Sequence, residues 1–197
     1  MAIDQDQFIA IISGRRRDTT AGVTRALLRV ASLGYRLVVH IRNTLYDHRV
    51  IRSHRPDAAI LCVGNLTTGG TGKTPLVVWL CRKIDQRLKI KDQQCQVAIL
   101  TRGYRTQKDE PADEPALLAA LCPDVPVVVN PDRVAGAAEA IRNHGAQVLV
   151  MDDGFQHRRL ARDLDIIAVD AMVPFGYGRL LPAGLLREPV SSVKRAH

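Results

Sequence analysis

Cysteine and aromatic residues are scarce in this chain of 197 residues. Its four cysteines form no Cys-x-x-Cys pair, which argues against a disulfide scaffold or a zinc site. Each lies in an apolar context that fits a buried side chain in a reducing compartment: Cys62, Cys81, Cys95 and Cys122. Aromatic residues make up 4% of the chain and none is interleaved with a basic cluster, so we expect no nucleic-acid partner.

The sequence also lacks an apolar run long enough to cross a bilayer. Arg29 and Arg36 interrupt the longest candidate, and a crossing helix needs roughly 20 apolar residues. The opening MAIDQDQ is acidic and has no positive region followed by an apolar stretch. We therefore expect no secretory signal and a chain that faces the cytosol.

What the sequence does have is an excess of positive charge, with a formal net charge of +8. Residues 1–57 contain ten Arg or Lys and five Asp or Glu, so most of the excess lies at the amino-terminal end. A basic segment of this kind indicates an anionic partner, either lipid or a phosphorylated substrate.

The basic segment includes a strongly amphipathic helix, predicted over residues 24–46. Plotted at 100° per residue, eleven apolar side chains fall on one broad arc and six polar ones on the opposite arc, while Arg42 intrudes among the apolar residues. One interpretation is a helix that lies in an anionic membrane interface, with arginines on lipid phosphates. The alternative is a helix packed against the rest of the domain.

The remainder of the chain alternates short apolar runs with helical stretches, which predicts an α/β fold with a parallel sheet covered by helices on both faces. The predicted strands are residues 58–63, 96–100, 125–129, 147–152 and 165–170, and the predicted helices are residues 74–89, 114–121 and 132–144. In such a sheet, ligands bind at the carboxyl ends of the strands. Four loops with polar motifs are expected to meet there: 64–74, 101–104, 130–133 and 152–154.

The first of these loops is rich in glycine and ends in Gly-Lys-Thr. Lys73 would contact the β- and γ-phosphates of a nucleotide, and the Thr74 hydroxyl would bind Mg²⁺. The usual phosphate-loop pattern, however, has glycine at the position of Thr67. The alternative is therefore a glycine-rich turn that binds no ligand. Asp152, at the end of the fourth strand, would supply the second metal ligand, and its position favours a P-loop NTPase-like fold. The expected nucleotide-binding residues are Thr67, Thr68, Gly69, Gly70, Thr71, Gly72, Lys73 and Thr74.

The motifs together resemble one family, the tetraacyldisaccharide 4′-kinases of lipid A biosynthesis. The resemblance rests on VGNLTTGGTGKTP at 63–75, TRGY at 101–104, ADEP at 112–115, PDR at 131–133, DDGFQHRRLARDLDI at 152–166 and GRLLPAGLLREP at 178–189. The family has threonine or serine where Thr67 stands. The resemblance implies transfer of the ATP γ-phosphoryl group, with Mg²⁺, to the 4′-hydroxyl of a tetraacyl glucosamine disaccharide 1-phosphate. It also implies a peripheral protein at the cytoplasmic face of the inner membrane of a Gram-negative-type bacterium.

The same resemblance assigns roles to single residues. Asp113 and Lys73 would be catalytic, and Glu114 would join Thr74 and Asp152 around the metal. The alternative for Asp113 and Glu114 is a helix cap with an acidic first turn, which the sequence fits equally well. The expected substrate-side residues are Asp153, Gln156, His157, Arg187 and Glu188.

Basic residues of the same motifs have plainer alternatives. Arg158, Arg159 and Arg162 would meet phosphates or lipid headgroups, or else form a solvated basic turn. For Arg187 and Glu188 the alternative is a surface ion pair of little energetic value.

The predicted organisation is a membrane-interface segment at 1–57, a kinase core at 58–190, and the start of a further half at 191–197. By resemblance that further half closes the nucleotide cleft, so the chain is expected to be a fragment or a naturally short relative. The alternatives to kinase activity are a catalytically silent nucleotide- or lipid-binding module, or a switch-type NTPase. A GTPase would be expected to carry Asn-Lys-x-Asp, and none is present.

Overall fold

A computed structural model of the chain describes residues 5–90, 96–103 and 113–197. Two compact units can be distinguished. The first contains residues 1–51, 66–69 and 169–194, and the second contains residues 52–65, 70–168 and 195–197. These units differ from the predicted segments, which placed residues 169–190 in the same core as the sheet. In the structure, residues 169–194 group with the amino-terminal helices. Within the described ranges, no helix is long and apolar enough to cross a membrane.

The second unit is built on a five-stranded parallel sheet, as predicted. Its strands, in the spatial order β3-β2-β4-β1-β5, are β1 (Ala59–Gly64), β2 (Gln96–Thr101), β3 (Val127–Val129), β4 (Ala146–Asp152) and β5 (Leu164–Ile167). Its helices are α3 (Lys73–Ile90), α4 (Asp113–Leu121) and α5 (Arg133–His144). All of these elements lie within a few residues of the predicted ones, because buried parallel strands form continuous apolar runs between helices.

Helices cover both faces of this sheet, which is also as predicted. Along β2, Ala98 and Leu100 point to the α5 side, whereas Val97 and Ile99 point to the side of α3 and α4. Successive residues of a strand face opposite sides, so β1, β2, β3 and β4 each contribute to two separate apolar clusters. Both clusters consist almost entirely of fully buried aliphatic side chains.

The first unit contains α1 (Gln5–Ile12), α2 (Thr19–Asp47) and two 3₁₀ turns at Gly176–Gly178 and Val190–Arg195. The second helix, α2, confirms the predicted amphipathic helix and extends it at its start. Two hydrogen bonds hold it to the segment that follows the sheet: the Ser32 hydroxyl donates to the Leu180 carbonyl at 2.9 Å, and the Tyr35 hydroxyl donates to the Arg187 carbonyl at 2.9 Å.

The broad apolar arc of α2 is divided between packing and exposure. Leu28, Tyr35 and Val39 lie on the packed side, and Val39 is fully buried. The rest of the arc stays open, with side chains that are 49–68% exposed: Val23, Leu27, Val30, Leu33, Leu37, Val38 and Ile41. We call these seven residues the apolar face of α2. A soluble helix rarely leaves so many aliphatic side chains in contact with water.

Candidate functional site

Loops with polar motifs meet at the carboxyl edge of the sheet in the second unit. Because every strand pair is parallel, the carboxyl ends of β1, β2, β3 and β4 lie along one edge. Asp152 at the end of β4 is directly opposite Val63 near the end of β1. The turn into α3 and the Asp152-Asp153 pair are therefore neighbours, as the sequence predicted.

The turn into α3 has the backbone that a phosphate loop needs. Lys73 is the first residue of α3, so the free N–H groups and positive end of that helix point out of the sheet edge. Gly72 has a φ of 71°, a left-handed conformation in which any side chain would be strained. The Asn65 amide donates to the Thr71 hydroxyl at 3.1 Å and ties the turn to the end of β1.

Thr67, Thr68 and Gly69 belong to the first unit. There the Thr68 N–H donates to the Leu185 carbonyl at 2.8 Å, and Thr67 forms an isolated antiparallel bridge with Leu186. Their predicted contact with nucleotide stays a prediction.

Lys73 forms an ion pair with Asp153. Their Nζ and Oδ1 atoms are 3.4 Å apart, and the lysine side chain is largely buried. Asp153 has a φ of 49°, which is uncommon for a residue other than glycine and often marks a functional site. The pair holds the lysine ammonium group at the mouth of the turn, where a phosphate could take the place of the carboxylate.

Asp152 is a buried carboxyl group of this edge with a raised pKa. Burial raises its pKa to about 6, with further contributions from the negative charges of Glu114 and Asp153. Arg133 is also buried at this edge, and its guanidinium donates a hydrogen bond to the Asp152 backbone carbonyl at 3.0 Å. In the sequence Arg133 stands out only as part of the PDR motif, because nothing in the spacing places it next to β4.

These residues fit a hard divalent cation. The buried Oδ1 of Asp152 has no hydrogen-bond partner among the described residues, and an unpaired buried carboxylate oxygen is what a cation would satisfy. Within ranges 5–90, 96–103 and 113–197, no group of three or more His, Cys, Asp or Glu is placed so that it could hold a metal ion by itself. Mg²⁺ does not need one, since it is usually held by one or two carboxylates together with waters and substrate phosphates.

The loop after Asp153 is fixed from several sides. The Gln156 amide donates to the Asn65 carbonyl at 2.7 Å. Gly64 allows Phe155 to approach closely, because a Cβ at position 64 would lie 2.5 Å from the Phe155 Cβ. Burial lowers the pKa of His157 to about 4, helped by the positive charges of Arg133 and Arg159, so this imidazole is neutral at pH 7.

Arg162 holds the same loop through the loop's carbonyl groups, a role that the sequence pattern does not indicate. Its Nη1 donates to the carbonyls of Gly154, Phe155 and His157 at 3.2–3.3 Å, and its Nε lies 3.0 Å from the carboxylate of Asp165. Both side chains are almost fully buried. The interpretations of Arg162 as a headgroup contact or part of a solvated turn are therefore wrong. Arg159, in contrast, is exposed and pairs with Asp132 at 3.3 Å.

Glu188 lies in the first unit and is fully buried. It pairs with Arg42 of α2 and accepts a hydrogen bond from the Asn43 amide at 3.4 Å. The surface ion pair considered for Arg187 and Glu188 is therefore wrong for Glu188, and Arg42 intrudes among apolar residues because it meets this carboxylate. A substrate-side role for either residue stays a prediction.

Asp113 is the first residue of α4, but its side chain lies outside the described part of the chain, as do Tyr104 and Ala112. Glu114 is exposed in the first turn of α4. The choice between a catalytic carboxylate and a helix cap at Asp113 therefore stays open.

Known proteins of one family are similar to this chain over most of its length. The family model described as tetraacyldisaccharide-1-P 4′-kinase matches residues 24–197. A tetraacyldisaccharide 4′-kinase of Syntrophus aciditrophicus is 42% identical over 86% of this chain and 48% of its own length. The enzyme of that name from Halothermothrix orenii is 33% identical over 98% of this chain and 53% of its own length.

One solved structure is also similar, and it is described as an apo form of LpxK from Aquifex aeolicus in complex with ATP. It has a TM-score of 0.76 and 36% identity, over 88% of this chain and 57% of that one. This likeness confirms the predicted P-loop NTPase-like fold. The chain spans about half the length of the curated relatives it matches. Because the family model covers nearly all of its residues, the chain belongs to the tetraacyldisaccharide 4′-kinase family.

Proposed function

We propose that this chain is the nucleotide-binding half of an ATP-dependent kinase that phosphorylates the 4′-hydroxyl of a tetraacyl glucosamine disaccharide 1-phosphate. Family membership and the ATP named for the Aquifex aeolicus relative support the proposal. The observation that carries it is the Lys73–Asp153 ion pair at the start of α3, beside the buried carboxylate of Asp152. A lysine at the start of a helix beside a strand-end carboxylate is the arrangement that binds nucleotide phosphates and Mg²⁺ in P-loop proteins.

Gly70, Thr71 and Gly72 would present N–H groups to the phosphates of ATP, at the positive end of α3. Lys73 would leave Asp153 and contact the β- and γ-phosphate oxygens. The exchange replaces one anion by another beside the same ammonium group, so the lysine keeps an anionic partner throughout.

Thr74, Asp152 and Glu114 would hold Mg²⁺. When bound, the ion would neutralise phosphate charge as the phosphoryl group is transferred. The unpaired Oδ1 of Asp152 is the oxygen that this role needs, and a raised pKa is expected for a carboxylate that awaits a cation.

In the proposed reaction, the 4′-hydroxyl oxygen attacks the γ-phosphorus, the bond from the γ-phosphorus to the β,γ-bridging oxygen breaks, and ADP leaves. Asp113 would take the hydroxyl proton. Asp153, Gln156 and His157 would line the acceptor side. A neutral His157 can accept a hydrogen bond from a sugar hydroxyl, because its Nε2 is buried without a partner in the described structure.

A lipid acceptor requires an enzyme held at the bilayer. The apolar face of α2 would lie among lipid acyl chains, with the basic residues of the amino-terminal segment on anionic headgroups. We infer that the protein is peripheral at the cytoplasmic face of the inner membrane.

A phosphotransfer assay tests the proposal. This chain, and a version extended past His197 to the full length of the relatives, would be incubated with the lipid disaccharide, ATP and Mg²⁺. We expect phosphorylated product at least from the longer protein. Absence of product from both would contradict the kinase proposal and would favour the silent nucleotide- or lipid-binding module.

Asp113→Ala in the active form tests the catalytic carboxylate. We expect it to abolish turnover with little loss of ATP affinity, because Asp113 would act on the acceptor hydroxyl and not on the nucleotide. An unchanged rate would return Asp113 to the role of a helix cap.

A further inference from the structure

The first unit contains a cavity of about 400 Å³ between α2 and the segment 178–190. Its walls are mostly aliphatic, and three arginines stand around them: Arg29 and Arg36 from α2, and Arg179 from the facing segment. The volume lies within the usual range for small-ligand sites. The apolar lining includes Val30, Leu33, Leu180, Ala183, Leu186 and Val190.

The charge of this cavity is not balanced by the protein. No acidic residue lines it, and the guanidinium groups of Arg29, Arg36 and Arg179 have no hydrogen bond or ion pair within the described residues. Neighbouring arginines of the same unit are used differently, since Arg42 pairs with Glu188 and Arg25 donates to the Ile11 carbonyl at 3.3 Å.

Two other cavities of the described structure differ in that acidic residues line them. One contains Asp57 and Asp163, and the other contains Asp85 and Asp124. Three unpaired guanidinium groups around an apolar wall therefore set the cavity in the first unit apart, and they match a ligand that is an anion at one end.

The cavity is continuous with the apolar face of α2, because Val30 and Leu33 belong to both. A free phosphate would gain nothing from the aliphatic walls, and a fatty chain alone would gain nothing from the arginines. An anionic headgroup with an acyl chain attached satisfies both, with its chain leaving along the face that we place in the bilayer.

We propose that this cavity binds one anionic phospholipid of the bilayer, with its phosphate on Arg29, Arg36 and Arg179. The first part of an acyl chain lies on Val30, Leu33 and the aliphatic wall. The lipid is bound and not phosphorylated, so it is a second ligand beside the acceptor. The inference rests on the proposed membrane association and adds a defined lipid site to it.

The test is calorimetric titration of the chain with dihexanoyl phosphatidylglycerol, kept below its micelle concentration. Dihexanoyl phosphatidylcholine and glycerol 3-phosphate serve as the neutral-lipid and headgroup-only arms. The pocket variant is R29Q/R36Q/R179Q, and the matched control is R15Q/R17Q/R52Q, which removes the same charge from exposed arginines outside the cavity. The six residues have no partner that the described structure shows, so both variants are expected to fold, and melting curves verify this.

We expect one saturable site for the phosphatidylglycerol, weakened on the order of 100-fold in the pocket variant and within about threefold in the control. Equal binding of the neutral lipid or of glycerol 3-phosphate would overturn the assignment to an anionic lipid. An equal loss in both variants would overturn the site. If the pocket variant unfolds, Arg179→Gln alone is the replacement, and a loss below about threefold would count against the proposal.

Sedimentation with phosphatidylglycerol vesicles separates this inference from the proposed function. If the unaltered chain does not bind vesicles, the membrane proposal fails. If it binds, and the pocket and control variants bind equally, only the lipid site fails.

Discussion

At the scale of single residues, the second unit has ionisable side chains with shifted pKa values around the end of β4. Asp152 and His157 are both held away from their ordinary protonation behaviour by burial, in opposite directions. Groups with shifted pKa values at one edge of a sheet are a physical sign of a functional site. The family resemblance placed Glu114 beside Asp152, but the sequence did not show that the Arg133 guanidinium would reach the Asp152 carbonyl, because that contact depends on how separate loops fold together.

The low pKa of His157 predicts a dependence of stability on pH. Above pH 6.5 the imidazole is neutral in both the folded and unfolded states and has no effect. Between pH 6.5 and about 4 the unfolded state binds a proton that the folded state does not, so stability falls as the pH falls.

Replacing the His157 imidazole should remove this loss of stability at low pH. We expect His157→Gln to gain about 1–2 kcal/mol relative to the parent chain between pH 7 and pH 4, discounted for partial exposure. Urea unfolding at the two pH values measures the gain. His40→Gln, at an exposed site on α2, is the control, and an equal gain there would contradict the prediction.

At the scale of elements, the strands and helices of the sheet could be predicted, whereas the segment 169–194 could not. Apolar runs mark buried strands, and helical periodicity marks their partners. Residues 169–194 have neither pattern, and they are held by contacts that are distant in sequence, such as Ser32 with Leu180 and Arg42 with Glu188. For that reason, their grouping with the amino-terminal helices could not be predicted from the sequence.

The buried Arg162–Asp165 pair should be essential to the loop after β4. Arg162→Gln would leave the Asp165 carboxylate buried and three carbonyls without their donor, so we expect a loss of about 3 kcal/mol in unfolding free energy. Arg159→Gln breaks an exposed pair three residues away and should cost less than about 1 kcal/mol. Chemical denaturation compares the two, and equal losses would show that the buried contacts have no special role.

The α2 helix should depend in the same way on Glu188. Arg42→Gln would leave this fully buried carboxylate without its cation, and we expect about 3 kcal/mol of destabilisation. The matched control is Arg16→Gln, which breaks an exposed pair with Asp18 and should have little effect. Thermal melts report the difference. A variant of Arg42 as stable as the control would indicate that Glu188 is satisfied by other groups.

At the scale of the whole molecule, the apolar face of α2 predicts binding to lipid. L27S/L37S/I41S changes only exposed side chains, so the fold should be retained while affinity for anionic vesicles falls at least about tenfold. Flotation with phosphatidylglycerol vesicles measures the loss. Leu117→Ser, at a similarly exposed position on α4, should bind as the parent chain does. Unchanged flotation of the triple variant would exclude α2 as the membrane contact.

The central claim is that this half-length member of its family binds ATP with Mg²⁺ at the turn into α3. Calorimetric titration of the chain with ATP and Mg²⁺ tests it most directly, with Lys73→Ala as the site variant and Lys83→Ala, exposed on the same helix, as the control. We predict one binding site per chain, weakened roughly 10- to 100-fold by Lys73→Ala and unchanged by Lys83→Ala. No binding by the unaltered chain, or equal affinity in the two variants, would contradict the claim.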